Sequence, residues 1–169
     1  MQDAITDILR QYDLVGKYLD ENATKKIETY LDTGLDRVKI LKFINSRASK
    51  IIKEASLQLY EEQPELLRPG GNSYTTRRYA ACLRDLDYYL RYGSYALIAG
   101  NNNILNERVL NGLRDTYNSL GVPIAPTIRS IQILEEIIKF EIQSVYSVDN
   151  LLISEPFQYL VKILKNSDF

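Results

Sequence analysis

Apolar residues recur at helical spacing along almost the whole chain, and the alternation typical of strands is scarce. One stripe begins at Ile5, Ile8 and Leu9, and a longer one runs from Ile128 to Val145. A chain that offers only helical stripes must bury them by packing helix against helix. With 169 residues and no low-complexity stretch or linker, we expect a single all-α domain over residues 1–169.

Turn residues mark where these helices should begin and end. The clearest break is RPGGN at Arg68–Asn72, which predicts a loop. Thr75 or Thr76 suits a helix N-cap, and that helix should run to about Ala99, before Gly100. The other expected boundaries are a cap at Asn22, a helix from Leu105 through Tyr117 that ends at Gly121–Pro123, a long helix from Pro126–Thr127 and a final helix around Phe157–Leu164.

The chain has one cysteine and no histidine, which excludes several classes of function. Without histidine there is no Ser-His or Cys-His catalytic pair, and a haem or zinc site loses its commonest ligand. The formal net charge of −1 gives no reason to expect binding to nucleic acid. We find no signal-peptide pattern and no run of about 18 apolar residues, so we expect no membrane-spanning segment.

The most informative stretch surrounds the single cysteine. At about 3.6 residues per turn, Arg78, Cys82, Asp85 and Tyr89 fall along one helix face. That face combines a thiol with a guanidinium one turn before it and a carboxylate one turn after it. On spacing alone Arg84 points away from Cys82. Further positive charge nearby comes from Arg77 and Arg91.

These groups suit a protonated linear tetrapyrrole, although other interpretations remain open. A thiol in a positive environment is nucleophilic, and arginines grip propionates with paired hydrogen bonds. Asp85 can accept hydrogen bonds from two N–H groups that point the same way. Against this, a lone helical cysteine is more often a small buried apolar residue, and charges at this spacing usually form a solvated face. Chemistry alone therefore leaves open a pigment-free scaffold.

Longer segments carry a resemblance to a known family. RPGGNSYTTRRYAACLRDLDYYLRYGSYALIAG (Arg68–Gly100) and ILNERVLNGLRDTYNSLGVP (Ile104–Pro123) resemble the chromophore-binding region of allophycocyanin β subunits, which are phycobiliproteins. MQDAIT at the start and GKYLD at Gly16–Asp20 agree, and the resemblance fades after about Phe140. It implies a globin-like fold with an extra N-terminal helical hairpin, residues 1–33, that packs against an α-type partner.

The resemblance also implies roles for individual residues. Cys82 matches the thioether attachment point of one phycocyanobilin, and Asp85 the carboxylate that binds its central pyrrole nitrogens. Asn72 matches an asparagine that many β subunits carry in N-methylated form. The other matching positions contact propionates or line the pocket: Arg77, Arg78, Arg84, Tyr88, Tyr117, Leu120, Val122 and Pro123.

Two features indicate which type of β subunit the chain resembles. Phycocyanin and phycoerythrin β subunits carry a second bilin on a late cysteine, and this chain has no such residue. The stretch Leu59–Asn72 resembles the minor eighteen-kilodalton β variant, and Asn101–Asn103 departs from the corresponding loop of the major subunit. The major subunit stays as the alternative.

The function implied is light harvesting in the phycobilisome core, with no reaction catalysed. The implied partners are an allophycocyanin α-type subunit or the α-like domain of the core–membrane linker, ring-shaped trimers of αβ units, and phycobilisome linkers. The implied place is the stromal or cytoplasmic side of a plastid or cyanobacterial thylakoid membrane, as a peripheral protein. The alternatives from other classes are a pigment-free scaffold and a globin-like haem sensor, which the absence of histidine disfavours.

Overall fold

The computed structural model describes residues 2–166, and helices joined by turns and loops make up this whole range. A 3₁₀ turn, Pro64–Leu67, follows the third helix, and a π-helical turn, Asn106–Leu110, follows the fifth. The helices are α1 (Ala4–Leu14), α2 (Glu21–Asp32), α3 (Gly34–Glu62), α4 (Thr76–Ala99), α5 (Asn103–Leu105), α6 (Leu113–Leu120), α7 (Ile124–Ile142) and α8 (Asn150–Asn166). The expected all-α class is confirmed. Met1 and residues 167–169, part of the expected domain, lie outside the described residues.

The core lies where α3, α4, α7 and α8 pack together. Ile40 of α3, Leu90 of α4, Leu134 of α7 and Phe157 of α8 are almost completely buried there. Burying each such side chain contributes about 1.5–3 kcal/mol. This packing holds α3, α4 and α7 rigidly together, and these are the helices around the candidate site.

Helices α1 and α2 form the expected N-terminal hairpin, and they barely enter this core. None of the described residues of α1 is buried, and only Ala23 is buried in α2. The hairpin is held at the end of α4, where the Tyr30 hydroxyl donates to the Ile98 carbonyl at 3.1 Å. Arg37, itself buried, donates to the Leu97 carbonyl and lies over the Tyr30 ring. A positively charged side chain that donates hydrogen bonds to the last, unpaired carbonyls of a helix stabilises the C-terminus of that helix.

The boundaries of α4 agree with the sequence prediction. Thr75 is the N-cap, and its hydroxyl accepts the Arg78 N–H at 3.3 Å. Gly100 ends the helix in the left-handed conformation, with φ of 61°. Gly121 ends α6 in the same way, with φ of 66°. Both endings were predictable because glycine adopts this conformation without steric cost.

Two expected boundaries in other segments are wrong by a few residues. Asn22 does not cap α2; Asp20 does, with its carboxylate accepting the Ala23 N–H at 2.9 Å. The helix expected from Leu105 through Tyr117 is interrupted by the π-helical turn and by Gly112, which has φ of 73°. Glycine there lets the chain turn sharply before α6 begins.

The last two helices both begin earlier than predicted. α7 starts at Ile124, so Pro126 lies in its first turn, where no backbone N–H is needed for a helical bond. α8 starts at Asn150 and continues through Pro156. Pro156 and Phe157 are both buried, so packing of α8 against the core compensates for the hydrogen bond that proline cannot make.

Gly100 should tolerate substitution less well than Gly121, the glycine that ends α6. A Cβ there would lie 2.6 Å from the Tyr30 ring, while a Cβ at Gly121 meets nothing within 4 Å. The left-handed conformation alone costs alanine about 1–2 kcal/mol at either site, and crowding adds about 1–3 kcal/mol at Gly100. We expect Gly100→Ala to lower the free energy of urea unfolding clearly more than Gly121→Ala. Equal losses would show that Tyr30 does not pack on Gly100.

Candidate functional site

A cleft of about 440 Å³ lies beside Cys82, a volume within the usual range for small-molecule sites. One wall is the outer face of α4, and the others come from the loop before it, from α3 and from the α6–α7 connection. The predicted residues that line the cleft are Asn72, Arg77, Arg78, Cys82, Arg84, Asp85, Tyr117, Leu120, Val122 and Pro123. The structure thus places ten predicted site residues around one cavity.

Tyr88 was also predicted to belong to the site, but its side chain does not line the cleft. Its side chain is exposed, and its ring faces the guanidinium groups of Arg84 and Arg91, at 5.9 and 4.9 Å from the ring centre. These cation–π contacts place Tyr88 beside the mouth of the cleft rather than on its wall. Its contact with a ligand stays a prediction.

Arg84 lines the cleft although spacing alone points it away from Cys82. Its long side chain reaches Asp85, with Nη2 3.1 Å and Nε 3.3 Å from Oδ1. This neighbouring carboxylate raises the pKa of Arg84, so the guanidinium stays charged. The long, flexible side chain of Arg84 makes this contact possible, and helical spacing alone cannot represent that flexibility.

Asp85 accepts a second hydrogen bond from the opposite side of the cleft. The Tyr117 hydroxyl of α6 donates to Asp85 Oδ2 at 3.0 Å. Tyr117 is in turn hydrogen-bonded to Tyr89 of α4, and both phenols are buried. Burial is the largest influence on these two phenols and raises the pKa of each, so both stay protonated at neutral pH.

Sequence reasoning missed a group of residues on the α3 side of Cys82. The ring of Tyr60 stacks on Tyr79, one turn before Cys82, with centroids 5.4 Å apart. The Tyr60 hydroxyl is buried and has no hydrogen-bond partner within residues 2–166. Burial, with the Cys82 thiol close by, raises the pKa of Tyr60. In the sequence, Tyr60 is visible only as part of the apolar stripe of α3. Such a stripe does not show which residues the tyrosine contacts.

Arg129 joins α7 to the end of α3. It makes a bidentate pair with Glu62, at 2.7 and 2.8 Å, and also contacts Glu136. This pairing lowers the pKa of Glu62 from 4.5 to about 2. A lowered carboxyl pKa stabilises the fold above pH 4.5, and the effect is lost as the pH falls towards 2.

Glu62→Gln should therefore reduce stability in a pH-dependent way. We expect its urea midpoint to lie below that of the unaltered protein at pH 7, with the gap closing as the pH falls from 4.5 to about 2. Glu61→Gln is the matched control, because the exposed Glu61 forms no ion pair in the described part of the chain. A gap of the same size at every pH would contradict the assignment.

Two other kinds of feature, a membrane-spanning helix and a metal-binding cluster, are absent from residues 2–166. No helix there has the length and apolar character to cross a bilayer. Within the same range, no group of three or more Cys, Asp or Glu side chains is arranged to hold a metal ion. The cleft itself presents thiol, carboxylate and guanidinium groups, which fit an electrophilic ligand with acidic side arms and N–H donors.

Comparison with known proteins gives the family. Residues 7–164 match the model of the family described as Phycobilisome protein. The chain is 65% identical to "Allophycocyanin subunit beta-18" of Porphyra purpurea over 170 residues, covering 99% of both chains. It is 52% identical to "Allophycocyanin subunit beta-18" of Cyanidium caldarium, and the match covers 99% of this chain and 98% of the relative. It is also 52% identical to "Phycobiliprotein beta chain" of Mastigocladus laminosus, and that match covers 99% of each chain.

This likeness extends over the segment after Phe140, where the resemblance in sequence had faded. Matches that cover 99% of this chain include α8 and the whole site. The expected globin-like, all-α fold is the fold of the family. The chain belongs to the phycobilisome protein family, whose members are light-harvesting pigment proteins of the phycobilisome.

Proposed function

We propose that the chain is a β-type allophycocyanin subunit of the minor eighteen-kilodalton kind that binds one phycocyanobilin covalently through Cys82. The observation that carries the proposal is the cleft itself, which joins the only cysteine to a carboxylate and three arginines. The bound bilin supplies the absorption of visible light and holds the excitation until it is passed on. The protein's own residues set the shape and charge of that pigment.

Cys82 is suited to attachment by its position on the cleft wall. Its side chain is partly buried against the core and partly open to the cavity, so a ligand can reach the sulfur while the helix holds it in place. Attachment would add the Cys82 S–H across a carbon–carbon double bond of the ligand, with the new C–S bond at one carbon and the proton on the other. No oxidant or reductant is needed.

Asp85 is the anionic partner of the cationic pigment. Its two oxygens are already held by Arg84 and Tyr117, and each oxygen retains further lone pairs for N–H groups in the cleft. A carboxylate fixed in this way favours a protonated ligand with central N–H donors. A charge-assisted hydrogen bond of this kind contributes about 1.5–3 kcal/mol.

Arg77, Arg78 and Arg84 surround the mouth of the cleft and are exposed to solvent. Arg77 and Arg78 can form paired hydrogen bonds with propionate groups that extend towards water, and Arg84 can do so when it turns from Asp85 to the ligand. Tyr88, beside Arg84, completes this edge. Apolar residues close the opposite side of the cleft: Leu120, Val122 and Pro123.

Asn72 lies on the cleft wall immediately before the buried Ser73. Methylation of its side-chain nitrogen would remove one N–H donor and add an apolar group next to the pigment. Mass spectrometry of the peptide that contains Asn72 tests this modification directly.

The N-terminal hairpin provides the surface for an α-type partner, either an allophycocyanin α subunit or the α-like domain of the core–membrane linker. Large apolar side chains on and around it are exposed, namely Leu9, Leu14, Val15, Tyr18, Leu31 and Leu35. Exposed apolar area of this kind marks a protein interface. Pairs formed in this way would assemble into ring-shaped trimers with linkers, on the stromal or cytoplasmic face of a plastid or cyanobacterial thylakoid membrane.

Leu14→Glu should weaken this pairing. Leu14 is 77% exposed on the hairpin, and a buried, unpaired carboxylate at an interface is unfavourable. We expect at least about a tenfold weaker association with the α-type subunit, measured by analytical ultracentrifugation. Leu57→Glu, at an exposed leucine of α3, is the control. Unchanged association of the Leu14 variant would exclude the hairpin as the contact surface.

The proposal as a whole is tested by denaturing the native protein in acidic urea and recording its visible spectrum. We expect one covalent bilin per chain with the spectrum of phycocyanobilin, and mass spectrometry should place it on the Cys82 peptide. A colourless chain would support the pigment-free scaffold instead. Co-purification with the core–membrane linker distinguishes the minor variant from the major β subunit.

A further inference from the structure

Tyr89 is a buried phenol of α4 that none of the roles above requires. It lies one turn beyond Asp85 on the same helix face and is 3% exposed. Its hydroxyl is hydrogen-bonded to that of Tyr117, which reaches Asp85 from α6. Two tyrosines on different helices thus form a continuous path of hydrogen bonds to the carboxylate.

The direction of this path follows from counting protons. A phenol has one proton, and an ionised carboxylate has none to donate. Tyr117 donates its proton to Asp85 Oδ2, so in the bond between the two phenols Tyr89 is the donor. Burial raises the pKa of both phenols, which keeps both protons in place. The hydroxyl of Tyr117 is therefore fixed at both ends.

Asp85 has a second restraint, which is weaker. The Arg84 side chain that holds Oδ1 is 60% exposed, so water and salt screen that pair. Arg84 also lies at the mouth of the cleft, where the proposed function uses it for a propionate. Whenever Arg84 turns to the ligand, the two phenols are the restraint that stays on Asp85.

The geometry assigns Tyr89 as a positioning residue that acts through Tyr117 to hold Asp85 in the orientation needed by the pigment. This inference rests on the proposed function and deepens it, because it names a residue that controls how firmly the pigment is held. Buried hydrogen bonds in a chain polarise one another, so loss of the Tyr89 hydroxyl weakens the bond from Tyr117 to Asp85. A pigment held by a looser carboxylate loses more excitation through internal rotation.

The test uses the full chain with Tyr89→Phe, Tyr117→Phe and the double substitution, both without pigment and after loading with phycocyanobilin. In the loaded protein we expect Tyr89→Phe to lower the fluorescence quantum yield about threefold, with the same amount of pigment attached. In the Tyr117→Phe background, the added Tyr89→Phe change should have almost no further effect on the yield. Tyr95→Phe, which removes an exposed phenol of the same helix, should leave the yield unchanged.

Urea unfolding of the pigment-free protein supplies an independent measurement. The two single substitutions should be non-additive in the free energy of unfolding, as expected for residues of one hydrogen-bond network. Additive effects, or an unchanged fluorescence yield in Tyr89→Phe, would overturn the inference and leave Tyr89 as an ordinary core residue. Absence of any covalent pigment in the unaltered chain would instead refute the proposed function, so the two failures are distinguishable.

Discussion

Cys82→Ser should abolish covalent pigment binding completely. A serine hydroxyl has nearly the shape of the thiol but is not ionised at neutral pH, so it cannot add to an electrophilic double bond at a useful rate. The helix should be unaffected, since the thiol makes no disulfide. The measurement is the visible spectrum in acidic urea of protein produced in cells that make phycocyanobilin, where we expect a colourless chain.

Ala81→Ser is the matched control for this substitution. Ala81 lines the same cleft one residue earlier, so its replacement adds a serine hydroxyl to the cavity while the thiol remains. This variant should keep its covalent pigment. Pigment retained on the Cys82→Ser chain would mean that attachment occurs elsewhere, and the role of the cleft would have to be abandoned.

Much of the fold was predictable because its signals are local. Thr75 caps α4 through a hydroxyl three residues from its donor, and Gly100 ends that helix through its own φ angle. Local spacing also placed Cys82, Asp85 and Tyr89 on a single face, and all three line the cleft. Such features depend on a few neighbouring residues, which periodicity and cap preferences describe well.

Apart from the cap of α2, which is Asp20 rather than Asn22, the features that sequence reasoning missed depend on contacts between distant segments. The early start of α8 places Pro156 inside the helix, which local preferences disfavour and tertiary packing permits. The pairing of Tyr89 with Tyr117 joins residues 28 positions apart, and that of Tyr30 with the end of α4 joins positions 68 apart. No periodicity within one helix contains that information.

The far wall of the cleft shows what the family resemblance added. Tyr117, Leu120, Val122 and Pro123 follow α4 by about 20 residues or more, and nothing in their spacing brings them to Cys82. Only the resemblance named them as pocket residues, and the structure places all four there. For Arg84 the resemblance and the helical spacing disagreed; in the structure Arg84 lines the cleft, and its contact with a ligand stays a prediction.

Asp85→Asn should leave the pigment attached and remove most of its long-wavelength absorption and fluorescence. The amide keeps the size of the side chain but has no negative charge to stabilise a protonated ligand, and its NH₂ group would face the ligand's own N–H donors. Loss of about 1.5–3 kcal/mol corresponds to a roughly 10- to 100-fold weaker preference for the extended, cationic form.

Asp87→Asn is the matched control for the charge, since Asp87 is on the same helix, is half exposed and pairs only loosely with Arg91, at 3.9 Å, outside the cleft. It removes the same negative charge from α4 and should leave the visible spectrum as it is. The absorption spectrum of native protein separates the two outcomes, and the spectrum in acidic urea measures how much pigment each variant carries.

If both variants lost the long-wavelength band equally, the general charge of α4 would be responsible and Asp85 would have no specific role. If neither lost it, the cationic form would be stabilised by some other group, and the hydrogen bond from Tyr117 to Asp85 would serve only to join α6 to α4.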